Sequence, residues 1–381
     1  MQNPFVYGEV VPREAFADRS AELDRLITDL GAGQKVFLIS PRRYGKSSLV
    51  RQALATLGRR GALTVEVTVS SYSSYVAFLE GYARAIASVE SRWDRARNWL
   101  TEVITSTRPE IRLESPGGGL GQFSVSFPAV HTARDVERLA NEIFQLPGRL
   151  ATQRKRPVVV ALDEFQAVGN FDGGSVEHAL RAAAQHQREV GYVFAGSEPT
   201  LMERMIGPRR PFYKAGPVMR LEKIAADLFA AWIETRFTKS GVRVDEGLGA
   251  AIVELAGNLP YDVQRLAHET WDDVRAAGGR RAGLEQLHLT LGRLLAEQDP
   301  MFEAVWQRLT LAQRAVLRAV VLQSGRELLS AETRARHRLG GASSIQASLA
   351  ALIKQDLLVR DGPRYLVVDS LLREWVARRT F

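Results

Sequence analysis

"VFLISPRRYGKSSLV" (residues 36–50) runs from a short apolar stretch through a Gly-Lys-Ser triplet into an amphipathic pattern. Four apolar residues in a row read as a strand buried on both faces. Beyond the triplet, Leu49, Val50, Ala53, Leu54 and Leu57 fall on one face of a helix. A strand that turns through Gly-Lys-Ser into a helix is a cradle for phosphate. The amides of Tyr44, Gly45, Lys46, Ser47 and Ser48 would line it. Gly45 permits close backbone approach, Lys46 brings positive charge and Ser47 a hydroxyl for magnesium. The helix starting near Ser47 aims its positive end at the anion. Ser40 stands where the usual pattern has its first glycine. That position shapes the entry turn, and Ser40 followed by Pro41 is a tolerable substitute.

Further strands follow the first. "LTVEVTV" (63–69), "VVVAL" (158–162) and "GYVFA" (191–195) are apolar runs of strand length, and "PVMRL" (217–221) is a weaker fifth. Strands alternating with helical patterns predict an α/β fold with a parallel sheet covered on both faces. The third run ends in two carboxylates, "VVVALDEFQ" (158–166). As a parallel neighbour of the first strand, it would set Asp163 beside a magnesium ion held by Ser47. Glu164 would then polarise the water that attacks a γ-phosphate. An acidic pair at a strand end is otherwise a helix cap or a surface turn, and its pairing with the cradle decides for a nucleotide. Ser197, ending the fourth strand in "FAGSEPT" (194–200), has two readings: it senses the γ-phosphate or orients the water, or it caps the helix beginning near Glu198.

Between the second and third strands lies an insertion, about 88–140. In it "EIRLESPGGGLGQFSVSF" (110–127) alternates apolar residues around a Pro/Gly turn and predicts a β-hairpin. Residues 224–298 are helical in pattern, broken at "GNLP" (257–260). From 304 onward three helices and a hairpin with its turn at Asp361-Gly362 are expected. In them Val316, Leu317, Val320 and Val321 mark one apolar face. Ser343 and Ser344 look like caps of a helix 344–354 that buries Ile345, Leu349, Leu352 and Ile353 and exposes Gln346, Ser348 and Lys354.

Composition bounds the function classes. With 45% hydrophobic and 25% charged residues the chain is of ordinary globular type. No apolar run nears the roughly 18 residues of a membrane span. The N-terminus has no charged start followed by an apolar stretch, so a cytoplasmic location and no membrane partner are expected. The absence of cysteine excludes disulfides, thiolate metal sites and a thiol nucleophile. The net charge is +8, and residues 301–381, with 13 Arg/Lys against 7 Asp/Glu, carry +6 of it. A basic C-terminal fifth suits contact with nucleic acid. Arginine makes up 44 of the 51 basic residues, a bias that a solvated arginine surface also satisfies.

Together these segments resemble the archaeal-type ATPases, in the signal-transducing branch of the AAA+-like P-loop NTPases. "NPFVYG" (3–8) with "FADRSAELDRL" (16–26) is similar to that family's N-terminal adenine-side segment. "PRRYGKSSL" (41–49) is similar to its phosphate loop, "ALDEFQ" (161–166) to its metal and water-activating strand, and "GSEPTLM" (196–202) to its sensor strand. "GNLPYDVQRLA" (257–267) resembles its lid motif and the C-terminal unit its winged helix. The resemblance implies a P-loop core over 1–223 with a hairpin insertion at about 108–128, a helical lid over 224–300 and a winged helix over 301–381. It implies ATP or ADP with Mg2+ bound by Arg43, Tyr44, Gly45, Lys46, Ser47 and Ser48, with Pro260 on the adenine and Asp163 and Ser47 on the metal. Glu164, Lys46 and Ser197 would be catalytic. The loop "MIGPRRPFYKAG" (205–216) would offer Arg209 or Arg210 to a neighbouring subunit's site, or be a solvated basic loop. Pro260 stands where other AAA+ proteins place a phosphate-sensing arginine. The expected function is an ATP-hydrolysing molecular switch that works as a homo-oligomer or with a protein partner. The alternatives are an ATP-gated initiator or loader gripping double-stranded DNA through 301–381, and a non-catalytic nucleotide-binding scaffold.

Overall fold

The computed structural model describes residues 2–8, 16–17, 19–89, 93–105, 107–113, 123–171 and 175–379. It divides into two compact units, Val10–Lys223 and the combination of Met1–Glu9 with Ile224–Phe381. The N-terminal segment thus packs with the helical unit and not with the core to which the sequence reading joined it.

The first unit is built on a five-stranded parallel sheet. Its strands are Lys35–Ile39, Leu63–Thr68, Val158–Asp163, Val190–Gly196 and Val218–Arg220, and their spatial order is second, third, fourth, first, fifth. The third and fourth strands are buried at every position. That burial explains their unbroken apolar character, since helices cover both faces of such a sheet. The order corrects one expectation. The acidic strand is not a neighbour of the phosphate-loop strand, because the fourth strand lies between them. Its end is therefore placed between the two halves of the site.

The helix Lys46–Arg59 buries Leu49, Val50, Ala53, Leu54 and Leu57, the stripe expected of it. The insertion contains the helices Tyr75–Ala87, Trp93–Val103, Ala133–Ile143 and Leu146–Arg154 and an antiparallel ribbon, Glu110–Leu113 with Phe123–Ser126. Phe123, Val125 and Phe127 are buried on one side of that ribbon. Its expected Pro/Gly turn lies outside the described residues.

In the second unit, helices Ala226–Lys239, Leu248–Leu255 and Pro260–Ala276 precede the 25-residue helix Leu284–Arg308, which contains Pro300. The lid and the C-terminal unit therefore share one continuous helix across residue 300. The helices Leu311–Leu322, Ala331–Arg336 and Ala342–Lys354, the ribbon Leu358–Asp361 with Arg364–Val367, and a further helix, Ser370–Arg378, complete the unit. Two details depart from the sequence reading. The helix expected to begin at Ser344 begins at Ala342, with Gly341 at its N-cap and no capping side chain. Ser348 is buried, while Ile353 is exposed. The stripe Ile345, Ser348, Leu349, Leu352 is the i, i+3, i+4, i+7 face, so position outweighs polarity at Ser348.

The segment 3–7 lies along the lid helices. Phe5 is buried against Trp232 and Phe237, and Asn3 and Val6 bond to Asp272 and Gln264. Tyr7 donates its hydroxyl to Glu269, which Arg293 also holds at 2.8 Å. Burial, together with this carboxylate, pushes the Tyr7 hydroxyl up to about 12.

Candidate functional site

At the carboxyl ends of the first, third and fourth strands the polar side chains converge. This is the edge at which open parallel sheets bind ligands. Gly45, the N-cap of the helix Lys46–Arg59, has φ +87°, in the left-handed region where glycine carries no Cβ penalty. Arg43 adopts φ +69° in the same turn. The first intrahelical bond runs from the Leu49 amide to the Gly45 carbonyl. The amides of Lys46, Ser47 and Ser48 therefore precede the ladder, at the positive end of the helix. Ser40 is buried, and its amide donates to the Gly196 carbonyl at 3.2 Å. The serine thus continues the sheet into the loop, which is what the entry position requires.

Lys46 is 6% exposed and its Nζ pairs with Asp163 Oδ1, lying 3.5 Å from Glu164 Oε1. Ser47 Oγ donates to Asp163 Oδ2 at 3.0 Å. The residues expected to share a triphosphate and its cation are thus together, 116 to 118 positions apart in the chain. Ser47 and Asp163 offer two hard oxygen donors. That suits Mg2+, which takes few protein oxygens and completes its shell with phosphate and water. Among the described residues no group of three or more His, Cys, Asp or Glu forms a metal cage. The donor set fits a cation that arrives with a phosphate.

Glu164 follows Asp163 with φ +52°, an uncommon left-handed conformation for a residue with a Cβ. Its amide donates to Asp163 Oδ1 at 2.9 Å. Its Oε2 accepts from Ser197 Oγ at 2.5 Å and from Gln166 Nε2 at 2.6 Å. Of the two readings for Ser197, capping fails. The helix Pro199–Met205 has Glu198 at its N-cap and no capping side chain, while the Ser197 hydroxyl is spent on Glu164.

Arg209 and Arg210 separate in role. Arg210 pairs with Glu177, which is 1% exposed. Burial pushes the Glu177 carboxyl up, and Arg210 opposes that shift. Its guanidinium is therefore held by the protein's own acid. Arg209 is exposed, in a loop with φ +64°. Pro260 opens the helix Pro260–Ala276 in the other unit, at the first-turn position that suits proline.

Two residues that the sequence reading passed over belong to this site. Gln166 is one. The other is Arg19, 5% exposed, whose Nη2 donates to the carbonyls of Tyr44, at 3.3 Å, and of Glu222, while Nη1 reaches Glu22 at 2.9 Å. It ties the phosphate loop to the chain just beyond the fifth strand. Gln166 stands within "DEFQ" and carried a local signal, a polar residue in an apolar turn. Arg19 showed only a local pairing with Glu22, since the carbonyls it ties together are 25 and 203 residues away.

In the winged-helix part, several arginines have structural partners. Arg379 pairs with Glu303 and lies over Trp375 and Trp306. Arg373 donates to the carbonyls of Glu254 and Leu255, and Arg336 pairs with Glu332. The basic excess of this fifth is thus partly internal. Arg360 and Arg364 on the wing are exposed.

Comparison with known proteins bears on the fold. A family model described as a probable winged helix domain matches residues 300–378. No curated protein matches the chain. Among solved structures, the Walker-type ATPase of Pyrococcus abyssi is similar at TM-score 0.59 and 17% identity, over 96% of this chain and 97% of that one. The Aeropyrum pernix ORC2 protein, in ADPNP-ADP complexes, is similar at TM-score 0.55 and 14% identity, over 99% and 96%. The Aeropyrum pernix ORC1 protein, in complex with DNA, is similar at TM-score 0.52 and 16% identity, over 97% and 94%. The chain thus shares the overall fold of these Walker-type ATPase and ORC structures, with a winged helix domain over residues 300–378. Among the described residues no helix is long and apolar enough to cross a membrane.

Proposed function

We propose that this protein is a magnesium-dependent ATPase that works as a molecular switch. One observation carries the reading: Lys46, Ser47, Asp163, Glu164 and Ser197 meet within hydrogen-bonding reach at one sheet edge. The Lys46–Ser48 amides and the helix dipole bind the phosphates, and the Lys46 ammonium, shared by two carboxylates, gains a third anionic partner in the outer phosphates. When bound through Ser47 and Asp163, Mg2+ supplies neutralisation of the charge on the phosphoryl oxygens. Glu164 accepts a proton from water as the water oxygen bonds to the γ-phosphorus and the bond to the β–γ bridging oxygen breaks. ADP takes the bond's electrons. Arg209 is the residue of its loop suited to act on a neighbouring subunit's phosphate, because Arg210 is held by Glu177.

Turnover measurements test this reading. Lys46→Ala is expected to abolish nucleotide binding, and Glu164→Gln to retain binding while stopping hydrolysis. Turnover surviving both changes would discard the assignment. Binding without turnover in the unmodified protein would favour the nucleotide-holding scaffold.

A second reading, ATP-gated binding to duplex DNA, is favoured by the two exposed wing arginines and by the DNA complex of the similar ORC1 protein. The helix Ala342–Lys354 exposes only Ser343, Ser344, Gln346 and Lys354 among its polar residues, a small set for reading bases. Its grip would rest on phosphates and weaken steeply with salt.

A further inference from the structure

Gln166 is 8% exposed in the 3-10 turn Phe165–Asn170, immediately after Glu164. Its Nε2 donates to Glu164 Oε2 at 2.6 Å and lies 3.3 Å from Ser197 Oγ, while Ser197 donates to the same carboxylate oxygen. The three side chains close a triangle. A carboxylate only accepts, so the amide must turn its nitrogen toward Glu164. The cost of that choice is visible, because among the described residues Gln166 Oε1 is buried without a hydrogen-bond partner. Buried amides normally satisfy both ends. One that leaves its acceptor unmet is held there by something that gains from its donor.

The backbone is shaped around the same group. A Cβ on Gly196 would come within 2.3 Å of the Met202 side chain and 2.8 Å of Gln166 Oε1, so glycine there keeps Met202 and the amide packed side by side. Glu164 itself sits in a left-handed conformation, which persists only where surrounding contacts over-determine it. Fixing Oε2 with two donors leaves Oε1, 3.5 Å from Lys46 Nζ, as the oxygen on the phosphate-loop side.

We propose that Gln166 is a positioning residue for Glu164: with Ser197 it clamps one carboxylate oxygen so that the other is presented to the attacking water. The proposal rests on the ATPase reading above. It predicts an effect on the chemical step and not on nucleotide binding, because among the described residues the Gln166 side chain bonds to Glu164 and Ser197 and not to the phosphate loop.

The test is steady-state ATP turnover with Mg2+ in the full chain, comparing the unmodified protein, Glu164→Gln, Gln166→Met and Gln166→Ala. Methionine keeps the volume and removes the donor, so packing is preserved even if alanine destabilises the turn. Losing one hydrogen bond to a charged group predicts a fall in kcat of about tenfold for Gln166→Met. KM, nucleotide affinity and thermal midpoint should stay close to the unmodified values. A general loosening would move KM and the midpoint as well. An unchanged kcat in Gln166→Met, with Glu164→Gln inactive, overturns the role of Gln166 alone. Absence of turnover in the unmodified protein, or full activity in Glu164→Gln, overturns the ATPase reading and this assignment with it.

Discussion

Replacing Arg19 by methionine isolates how the phosphate loop is held. The side chain is almost wholly buried and donates to two backbone carbonyls, Tyr44 in the loop and Glu222 past the fifth strand, and to Glu22. Methionine fills much of the space but donates nothing. Glu22 is one-third exposed and can rehydrate, so its loss counts for little. The two carbonyls lose a charge-assisted partner, at about 1–2 kcal/mol each, giving roughly 2–4 kcal/mol in the unit Val10–Lys223. For a unit of about 200 residues this corresponds to a fall of roughly 5–12 °C in its unfolding midpoint. Because Tyr44 belongs to the loop, nucleotide affinity should fall with stability, by about tenfold or ~1.4 kcal/mol. Scanning calorimetry, with and without Mg-ATP, reads both quantities. Arg19→Lys should recover only part of either, since an ammonium lacks the planar fork that reaches three acceptors. A methionine variant with an unchanged midpoint and unchanged affinity would refute the claim that Arg19 braces the loop.

Other expectations follow from contacts already described. In Arg210→Ala the buried Glu177 loses the partner that opposes its upward shift. A buried carboxyl raised above its ordinary 4.5 binds protons more readily when folded, so its penalty is small near pH 4 and grows as pH rises through the raised value. The variant's thermal deficit should therefore be larger at pH 8 than at pH 4.5, and a pH-independent deficit would contradict this. Arg373→Ala removes the donor to the Glu254 and Leu255 carbonyls and should speed amide exchange at the C-terminal end of Leu248–Leu255, by roughly 1–2 kcal/mol of local stability. Unchanged exchange there would mean that Arg373 does not cap the helix. For the DNA reading, Arg360→Ala with Arg364→Ala should lower the slope of log affinity against log salt by about two. An identical slope would remove the wing from the phosphate contacts.

Much of the candidate site at the sheet edge is legible in the chain, for a physical reason. A strand end, a glycine turn and a helix start are local features, so "YGKSS" and "ALDEF" announce themselves without tertiary information. Strand order is not local. Nothing in "GYVFA" says that this strand inserts between the other two, and that insertion is what delivers Ser197 to Glu164. Buried polar residues were misread for a related cause. Ser348 was placed outside by its hydroxyl, although the helical period puts it on the inner stripe. Arg19 gave no sign of its burial, because apart from the nearby Glu22 its acceptors are backbone carbonyls that any sequence would supply. The segment 3–8 resembled a known motif, yet which unit it packs with depends on Phe5 finding Trp232 and Phe237 across more than 220 residues.

Calorimetric titration of Mg-ATP into the unmodified protein and into Lys46→Ala is the most direct probe of the shared phosphate and cation site. The account predicts saturable binding to the first and binding at least about a hundredfold weaker, ~2.7 kcal/mol, to the second. Equal affinities in the two proteins, or no heat from the unmodified one, would contradict it.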